Sequence, residues 1–287
     1  MLGILIAIVS AIFMSGMYIL LKRSYEELNP SVAFFFDMLF GLILWIPIGF
    51  IFGARLSEIP QVLIYAVISA ILSEAFVFYA LSKGNLSIAT TLISTYPIYT
   101  LLFSFLINNE ILNIYQLIFI ILTILGIILT CIGKDIKIKS FINPLTIIPI
   151  LASIAIGISD TLTKKIINDT SSFSFLVAIA LVQIPVSFIY LKITKHRIKD
   201  IFKEIKIKKE TYKYGIIGSL LNVIATGLLL ISFNYAMASI ASPLTAMYTP
   251  LVLLYAFIFL KEKISKINIV GIFLALIGTF GIFILGF

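Results

Sequence analysis

The stretch from Tyr214 to Leu260 contains no charged residue over 47 positions. A helix needs about 20 apolar residues to cross the hydrocarbon core of a membrane, so this stretch is long enough for two crossings. The polar and small residues from Asn234 to Ser239 are the expected turn between them. Further apolar runs of similar length bring the prediction to ten spans, at about 2–21, 31–53, 61–82, 86–107, 112–133, 144–165, 172–192, 214–235, 239–260 and 267–286.

The composition requires lipid as the main solvent. Hydrophobic residues make up 61% of the 287 positions and charged residues 12%, against roughly 45–50% and about 25% in soluble proteins. Lipid permits only helices and closed barrels, and blocks such as Ile118 to Leu129 lack the alternation of a barrel strand. The predicted fold class is all-α and polytopic, and Leu2 to Leu21 is expected to be a retained helix rather than a cleaved signal.

The sequence offers little material for cofactor chemistry. The lone Cys131 cannot form an internal disulfide, and His196, without a second Cys or His, does not supply the usual zinc ligands. A glycine-rich phosphate loop of the GxxxxGK type is absent, so ATP has no expected site. We expect no metal and no cofactor.

The positive charge of the chain is concentrated between the apolar runs. A net charge of +8 could indicate a nucleic-acid partner, but in these short segments lipid headgroups are the expected partner instead. In the longest polar segment, residues 195–209, four apolar residues recur at i, i+3, i+4 and i+7, which predicts a basic amphipathic helix on the headgroups. These residues are Ile198, Ile201, Phe202 and Ile205.

The loops also differ in charge from one side of the predicted membrane to the other. Eighteen Lys and Arg residues fall in loops that follow odd-numbered spans, and three fall in loops that follow even-numbered spans. The positive-inside rule makes the richer side cytoplasmic. Both termini are then predicted to lie outside.

An internal repeat relates the two halves of the chain. At an offset of 152 residues, Ser87 to Gly126 aligns without a gap to Ser239 to Gly278, with twelve of forty positions identical. A weaker match at an offset of 142 relates spans 1 and 6. Because five spans, an odd number, separate equivalent positions, the halves are predicted to be inverted repeats, with the domains at 1–136 and 143–287.

Two prolines fall at nearly equivalent places in this repeat. Pro97 and Pro250 lie inside spans 4 and 9. Proline removes a helical hydrogen bond and kinks or opens the helix. Each kink is expected either to be purely structural or to help line a cavity.

The chain resembles the EamA-like branch of the drug/metabolite transporter superfamily over its whole length. The resemblance is carried by Tyr79 to Ala89, by Pro97 to Glu110, by the second copy from Ser239 to Lys263, and by the basic doublets that end spans 1 and 6. It implies a ten-helix basket with a central cavity lined mainly by spans 1, 3, 4, 6, 8 and 9. It also implies transport of amino acids, sugars or related metabolites, and cytoplasmic termini, opposite to the charge count.

Three acidic residues fall inside the predicted spans, where each costs about 2.5–3.5 kcal/mol to insert. Glu74, roughly 4 Å from the middle of span 3, is expected to bind a proton or a substrate ammonium group, or to bond a neighbouring helix while protonated. Asp160, about 8 Å from the middle of span 6 toward the other face, is expected to serve the opposite opening or to pair with Lys164. Asp37, near the end of span 2, is expected at the interface.

Uncharged polar residues on the inner spans complete the candidate site. They are expected either to hydrogen-bond a substrate or to join helices. Glu110 and Glu262 are expected instead to cap the starts of spans 5 and 10. The candidate residues are Ser15, Tyr18, Tyr79, Thr95, Tyr96, Asn222, Thr226, Tyr248 and Thr249.

The favoured function is secondary active transport of a small metabolite across the plasma membrane by alternating access. Burial disfavours a charged carboxylate, so Glu74 makes proton coupling a reasonable hypothesis. A membrane-embedded enzyme on a lipid or polyprenyl phosphate is the second hypothesis, and a passive channel or scaffold is the third. The expected partners are a small-molecule substrate, membrane lipids and protons, without nucleic acid, in a monomer or weak homodimer.

Overall fold

The structure, a computed structural model, describes residues 1–24, 27–81, 86–131, 146–260 and 264–285. Within these ranges ten helical segments are long and apolar enough to cross a membrane, which confirms the predicted all-α, ten-span class. The expected junction between the domains, 137–142, lies outside the described residues. Numbered from 1 to 10, the spans are Leu2–Ser24, Pro30–Ile51, Ile59–Leu81, Leu86–Ile93 with Tyr96–Asn108, Ile114–Cys131, Ile147–Asp169, Ser172–Ile193, Lys209–Ser232, Ala238–Thr245 with Tyr248–Leu260, and Lys266–Leu285.

Local hydrogen bonds explain where several spans begin. The Oδ1 atom of Asn29 accepts from the backbone N–H of Ser31 at 3.0 Å, and Pro30 follows as the first helical residue. At span 5, Asn113 and Gln116 each accept from the other's backbone N–H through their side-chain oxygens. Such caps satisfy N–H groups that a helix leaves free in its first turn.

Spans 4 and 9 are both interrupted, and their segments are in register. Leu86–Ile93 and Ala238–Thr245 have bounds that differ by the repeat offset of 152, and so do Tyr96–Asn108 and Tyr248–Leu260. Each second segment begins one or two residues before its proline, Pro97 or Pro250. A proline is tolerated in the first turn of a helix, where its missing N–H is not needed, so each break falls where a new helix can start.

The two halves pack into each other along their length. The most extensive contacts join span 1 to span 8, span 5 to span 10, span 4 to span 6 and span 2 to span 7. Glycine permits close approach at the second of these: a Cβ at Gly126 would lie 2.7 Å from the Cα of Ala275. Its repeat equivalent, Gly278, would place a Cβ 2.6 Å from the carbonyl oxygen of Phe119. Small residues let helices associate in lipid, where no hydrophobic force acts between them.

Polar contacts between backbones and side chains also cross from one half to the other. The indole Nε1 of Trp45 donates to the carbonyl of Val223 at 3.0 Å. The hydroxyl of Ser10 donates to the carbonyl of Ala225 at 2.7 Å, and that of Ser219 to the carbonyl of Ala33 at 2.9 Å. Spans 1, 2 and 8 are thus held together by bonds that satisfy buried polar groups.

The polar segment after span 7 forms the helix Ile198–Ile207, as its periodicity predicts. Ile201 is buried in an apolar cluster with Tyr212, whereas Phe202 is exposed. At its start the guanidinium Nε of Arg197 donates to the carboxylate of Asp200 at 2.8 Å. That hydrogen bond lowers the pKa of Asp200 and raises that of Arg197.

Candidate functional site

A cavity of about 80 Å³ lies between the two halves. Its lining residues come from spans 1, 3, 4, 6, 8 and 9, the six spans that the family resemblance implies. Ten of the twenty described lining residues are apolar, such as Met14, Met17, Phe78 and Leu230, and the other ten carry a hydroxyl, carboxyl or amide group. An apolar lining that also carries polar groups in fixed positions has the chemical character of a small-molecule site.

Seven of the sequence candidates line this cavity, and four do not. Ser15 is buried and donates to the carbonyl of Ile12 at 2.6 Å, and Thr95 donates to the carbonyl of Leu92 at 2.7 Å. Tyr79 is exposed at 38%, and Thr249 is buried outside the lining. The lining candidates are Tyr18, Glu74, Tyr96, Asp160, Asn222, Thr226 and Tyr248, and lining polar residues that the sequence did not single out are Ser69, Ser73 and Thr163.

Glu74 lies in a distorted part of span 3. The α-helix ends at Ser69, a π-helical turn covers Ala70–Ala75, and the α-helix resumes at Phe76. The Oε2 atom of Glu74 accepts a hydrogen bond from the amide of Gln183 on span 7. Its Oε1 atom and the hydroxyl of the neighbouring Ser73 are buried and have no hydrogen-bond partner among the described residues. Such π-turns occur frequently at functional sites.

Asp37 is not an interfacial acid, contrary to expectation. It is fully buried, and its Oδ1 atom accepts from the amide of Asn222 at 2.8 Å. Its Oδ2 atom lies 3.5 Å from the Nε2 atom of Gln183. Span 2 starts at Pro30, so Asp37 is seven residues into the helix, or about 10 Å along its axis. Amide donors from spans 7 and 8 meet it there.

Asp160 is bonded across the cavity rather than along its own helix. Its Oδ2 atom accepts from the hydroxyl of Ser242 on span 9 at 2.6 Å. The expected ion pair with Lys164 does not form, because the ammonium group of Lys164 donates to the backbone carbonyl of Phe233. Asp160 and Glu74 line the same cavity. The expectation that they serve opposite openings of the protein stays a prediction.

Aromatic side chains form one wall of the cavity. The rings of Tyr18 and Tyr248 stack with their centroids 4.4 Å apart and their planes 8° from parallel. The hydroxyl of Tyr96 donates to the carbonyl of Ser242 at 3.0 Å. Each contact joins a span of the first half to span 9, immediately beside the breaks in spans 4 and 9.

Glu110 caps a different helix from the one expected. Its carboxylate accepts from the backbone N–H groups of Ala238 and Ser239, at 3.0 and 2.9 Å, and therefore caps span 9 rather than span 5. Span 5 begins instead with the Asn113 and Gln116 pair. The equivalent residue in the repeat, Glu262, is expected to cap span 10 and lies outside the described residues.

The fold and the cavity define a polytopic helical membrane protein of two similar, interlocked halves. The model of the EamA-like transporter family matches residues 1–132 and 145–284, so the chain belongs to this family, as its sequence resemblance indicates. The family is one of membrane transporters within the drug/metabolite transporter superfamily.

Two individual proteins extend the comparison. A protein of known crystal structure has the same fold, with a TM-score of 0.74 and 14% identity over 99% of this chain and 96% of its own. An uncharacterized protein of Methanocaldococcus jannaschii is 35% identical over 111 residues, which are 38% of this chain and 81% of that relative. The structural likeness shows the fold alone.

Proposed function

We propose that this chain is a secondary active transporter of a small organic solute with an amine group, such as an amino acid, in the plasma membrane. The observation that carries the proposal is the inter-half cavity with Glu74 and Asp160 in its wall. Transport proceeds by alternating access and is coupled to protons. The family membership supports the transporter class, and the side chains of the cavity support the proposed substrate and coupling.

The charges around the cavity favour a cationic group on the substrate. The described lining includes two acidic residues and no Lys, Arg or His. An ammonium group would neutralise a carboxylate that is otherwise costly in a low-dielectric site. Tyr18 and Tyr248 also line the cavity, and the outer face of a stacked ring can attract a cation.

The remaining lining groups suit the polar part of an amino acid. Asn222 offers the amide hydrogen that it does not donate to Asp37, and Thr226 and Ser73 offer hydroxyl groups, all on spans 3 and 8. Ser73 has no competing hydrogen bond within the described structure, so its hydroxyl is available to donate to a solute. A carboxylate or carbonyl of the solute is the matching acceptor.

The matching breaks in spans 4 and 9 support alternating access. Each break abuts the cavity through a tyrosine, Tyr96 or Tyr248. Discontinuous helices at the interface of inverted repeats are the usual site of substrate binding in such transporters. Equivalent breaks in both halves provide one point of movement for each opening.

Thermal unfolding of the detergent-purified protein tests the substrate class. Amino acids, polyamines and monosaccharides, added one at a time, should separate into stabilising amines and inactive sugars. A ligand at about 100 times its Kd adds about 2.7 kcal/mol of stability. Stabilisation by sugars alone, or by none of the three groups, would contradict the proposal.

Variants then assign the binding group. Glu74→Gln removes the charge with little change of shape and should weaken an amine ligand by about tenfold or more, equivalent to about 1.4 kcal/mol. Glu210→Gln, an exposed acid at the start of span 8, should leave the affinity unchanged. Unchanged affinity in Glu74→Gln would remove Glu74 from the substrate site.

Flux into proteoliposomes tests the coupling and the mode of transport. Uptake of the stabilising amine should saturate with concentration and should respond to an imposed pH gradient. Flux that ignores the gradient would eliminate proton coupling. Flux that does not saturate would favour a passive channel.

A further inference from the structure

Four polar side chains from four different spans meet beside the cavity. They are Asp37 of span 2, Glu74 of span 3, Gln183 of span 7 and Asn222 of span 8, here called the carboxyl–amide cluster. All four are buried, with exposed fractions of 6% or less. Both carboxyl groups belong to the first half of the chain, and both amides belong to the second.

Every hydrogen bond of the carboxyl–amide cluster therefore crosses between the halves. The Nε2 atom of Gln183 contacts a carboxylate oxygen of Asp37 and one of Glu74, so that its two hydrogens serve two acids. The amide of Asn222 holds the other oxygen of Asp37 at 2.8 Å. Gly41 leaves room for this arrangement, because a Cβ there would lie 2.7 Å from the Oε1 atom of Gln183.

The cluster contains no positive charge to balance its two acids. The salt bridges within the described residues are Arg55–Glu58, Arg197–Asp200 and Lys208–Glu27, none of which involves the cluster. The ammonium group of Lys164 on span 6 donates to the carbonyl of Phe233. The other titratable side chains that are buried or line the cavity on the neighbouring spans are Tyr18, Tyr96, Asp160, Tyr190, Tyr212 and Tyr248.

Two carboxylates that share a donor in a low-dielectric setting do not both stay ionised, because like charges disfavour each other and burial disfavours both. Two atoms of the cluster indicate where a proton is needed. The Oε1 atoms of Glu74 and Gln183 are both buried acceptors, and neither has a hydrogen-bond partner in the part of the chain that the structure describes. A proton on Glu74 converts an unpartnered acceptor into a donor.

We propose that Asp37 and Glu74 form a single proton-binding site, positioned by Gln183 and Asn222, that fastens spans 2 and 3 to spans 7 and 8. With one proton bound, the pair carries one negative charge and the inter-half hydrogen bonds persist. Loss of the proton leaves two negative charges side by side and weakens that contact. The bound proton thus biases the relative position of the two halves. This role of the proton deepens the proposed function, and its link to transport rests on that function.

Infrared titration of the purified protein in detergent tests the site without any substrate. The carbonyl band of a protonated carboxylic acid should persist above the pH at which exposed carboxyls ionise and then disappear in one step. Asp37→Asn and Glu74→Gln should each move the midpoint of the remaining acid by about one pH unit or more, because coupled groups titrate as a pair. The double variant should lose the step.

All of these variants are made in an Asp160→Asn background, because Asp160 is another buried cavity acid whose own carbonyl band would overlap the step. Glu210→Gln, at an exposed acid, is the control in that background and should leave the step in place. If one single variant does not fold, the other still reports the coupling through its remaining acid. The proposal is overturned by a step that survives in the double variant, or by single variants with unchanged midpoints. A step that Na⁺ displaces at constant pH would also overturn it, because the pair would then bind a metal cation.

The titration is independent of the substrate assignment. An intact step with no stabilising amine would reject the proposed substrate and retain the proton site. A stabilising amine with no coupled step would do the reverse.

Discussion

The carboxylate of Glu110 accepts two hydrogen bonds from Ser239, one from its backbone N–H at 2.9 Å and one from its hydroxyl at 2.5 Å. Glu110 follows the last helix of span 4, and Ser239 lies in the first turn of span 9. One side chain of the first half thus stabilises the start of the broken span in the second half. A negative charge at a helix N-terminus is favoured by the helix dipole as well as by its hydrogen bonds.

Replacement of Glu110 should therefore destabilise the protein. Glu110→Ala removes a charged acceptor from the buried N–H groups of Ala238 and Ser239 and should cost about 1–3 kcal/mol. Glu110→Gln keeps one acceptor oxygen and should cost less. Thermal unfolding in detergent measures both. Glu210→Gln, at an exposed acid, is the control, and an equal loss in Glu210→Gln and Glu110→Gln would contradict the cap.

The hydroxyl of Tyr96 should also contribute to stability. Tyr96→Phe removes its bond to the carbonyl of Ser242 and should cost about 0.5–1.5 kcal/mol. Tyr115→Phe, at a tyrosine exposed on span 5, is the matched control and should have a negligible effect. Equal melting temperatures for the two variants would show that the Tyr96 bond adds nothing to the contact between the halves.

Close packing between spans 5 and 10 gives a third prediction. Gly126→Ala inserts a methyl group against the backbone of Ala275, and such overpacking should cost about 1–3 kcal/mol. Leu125→Ala, beside it at an exposed position, should cost much less because it removes less buried surface. A stable Gly126→Ala variant, with a melting temperature equal to that of the parent, would show that the two helices lie further apart.

The sequence predicts the spans and the repeat well because both depend on patterns spread over many residues. A misassigned residue at any one position changes neither the ten apolar runs nor the repeat offset of 152. The offset also places the breaks of spans 4 and 9, since the segments before Pro97 and Pro250 have equivalent bounds. The orientation of the termini and the domain boundaries stay predictions.

Single-residue partnerships are harder to predict, because they depend on which helices become neighbours. Asp37 looks interfacial when its distance is counted from the helix end, yet Asn222 and Gln183 meet it in the core. Gln183 is a polar residue in an apolar span, but span 7 is not one of the spans that the resemblance implies to line the cavity, so the sequence does not indicate its partners. Glu110 precedes span 5 in sequence but caps span 9, since only the packed halves bring Ser239 to it.

Alternating access through the inter-half cavity is the central claim, and cysteine accessibility tests it most directly. In a Cys131→Ser background, Ser73→Cys places a thiol in the cavity wall, and Ser187→Cys places one in a fully buried position outside it. A membrane-impermeant maleimide is added to right-side-out and to inside-out vesicles. We expect labelling of Ser73→Cys from both sides and of Ser187→Cys from neither. Labelling of Ser73→Cys from one side only, or from neither, would contradict it.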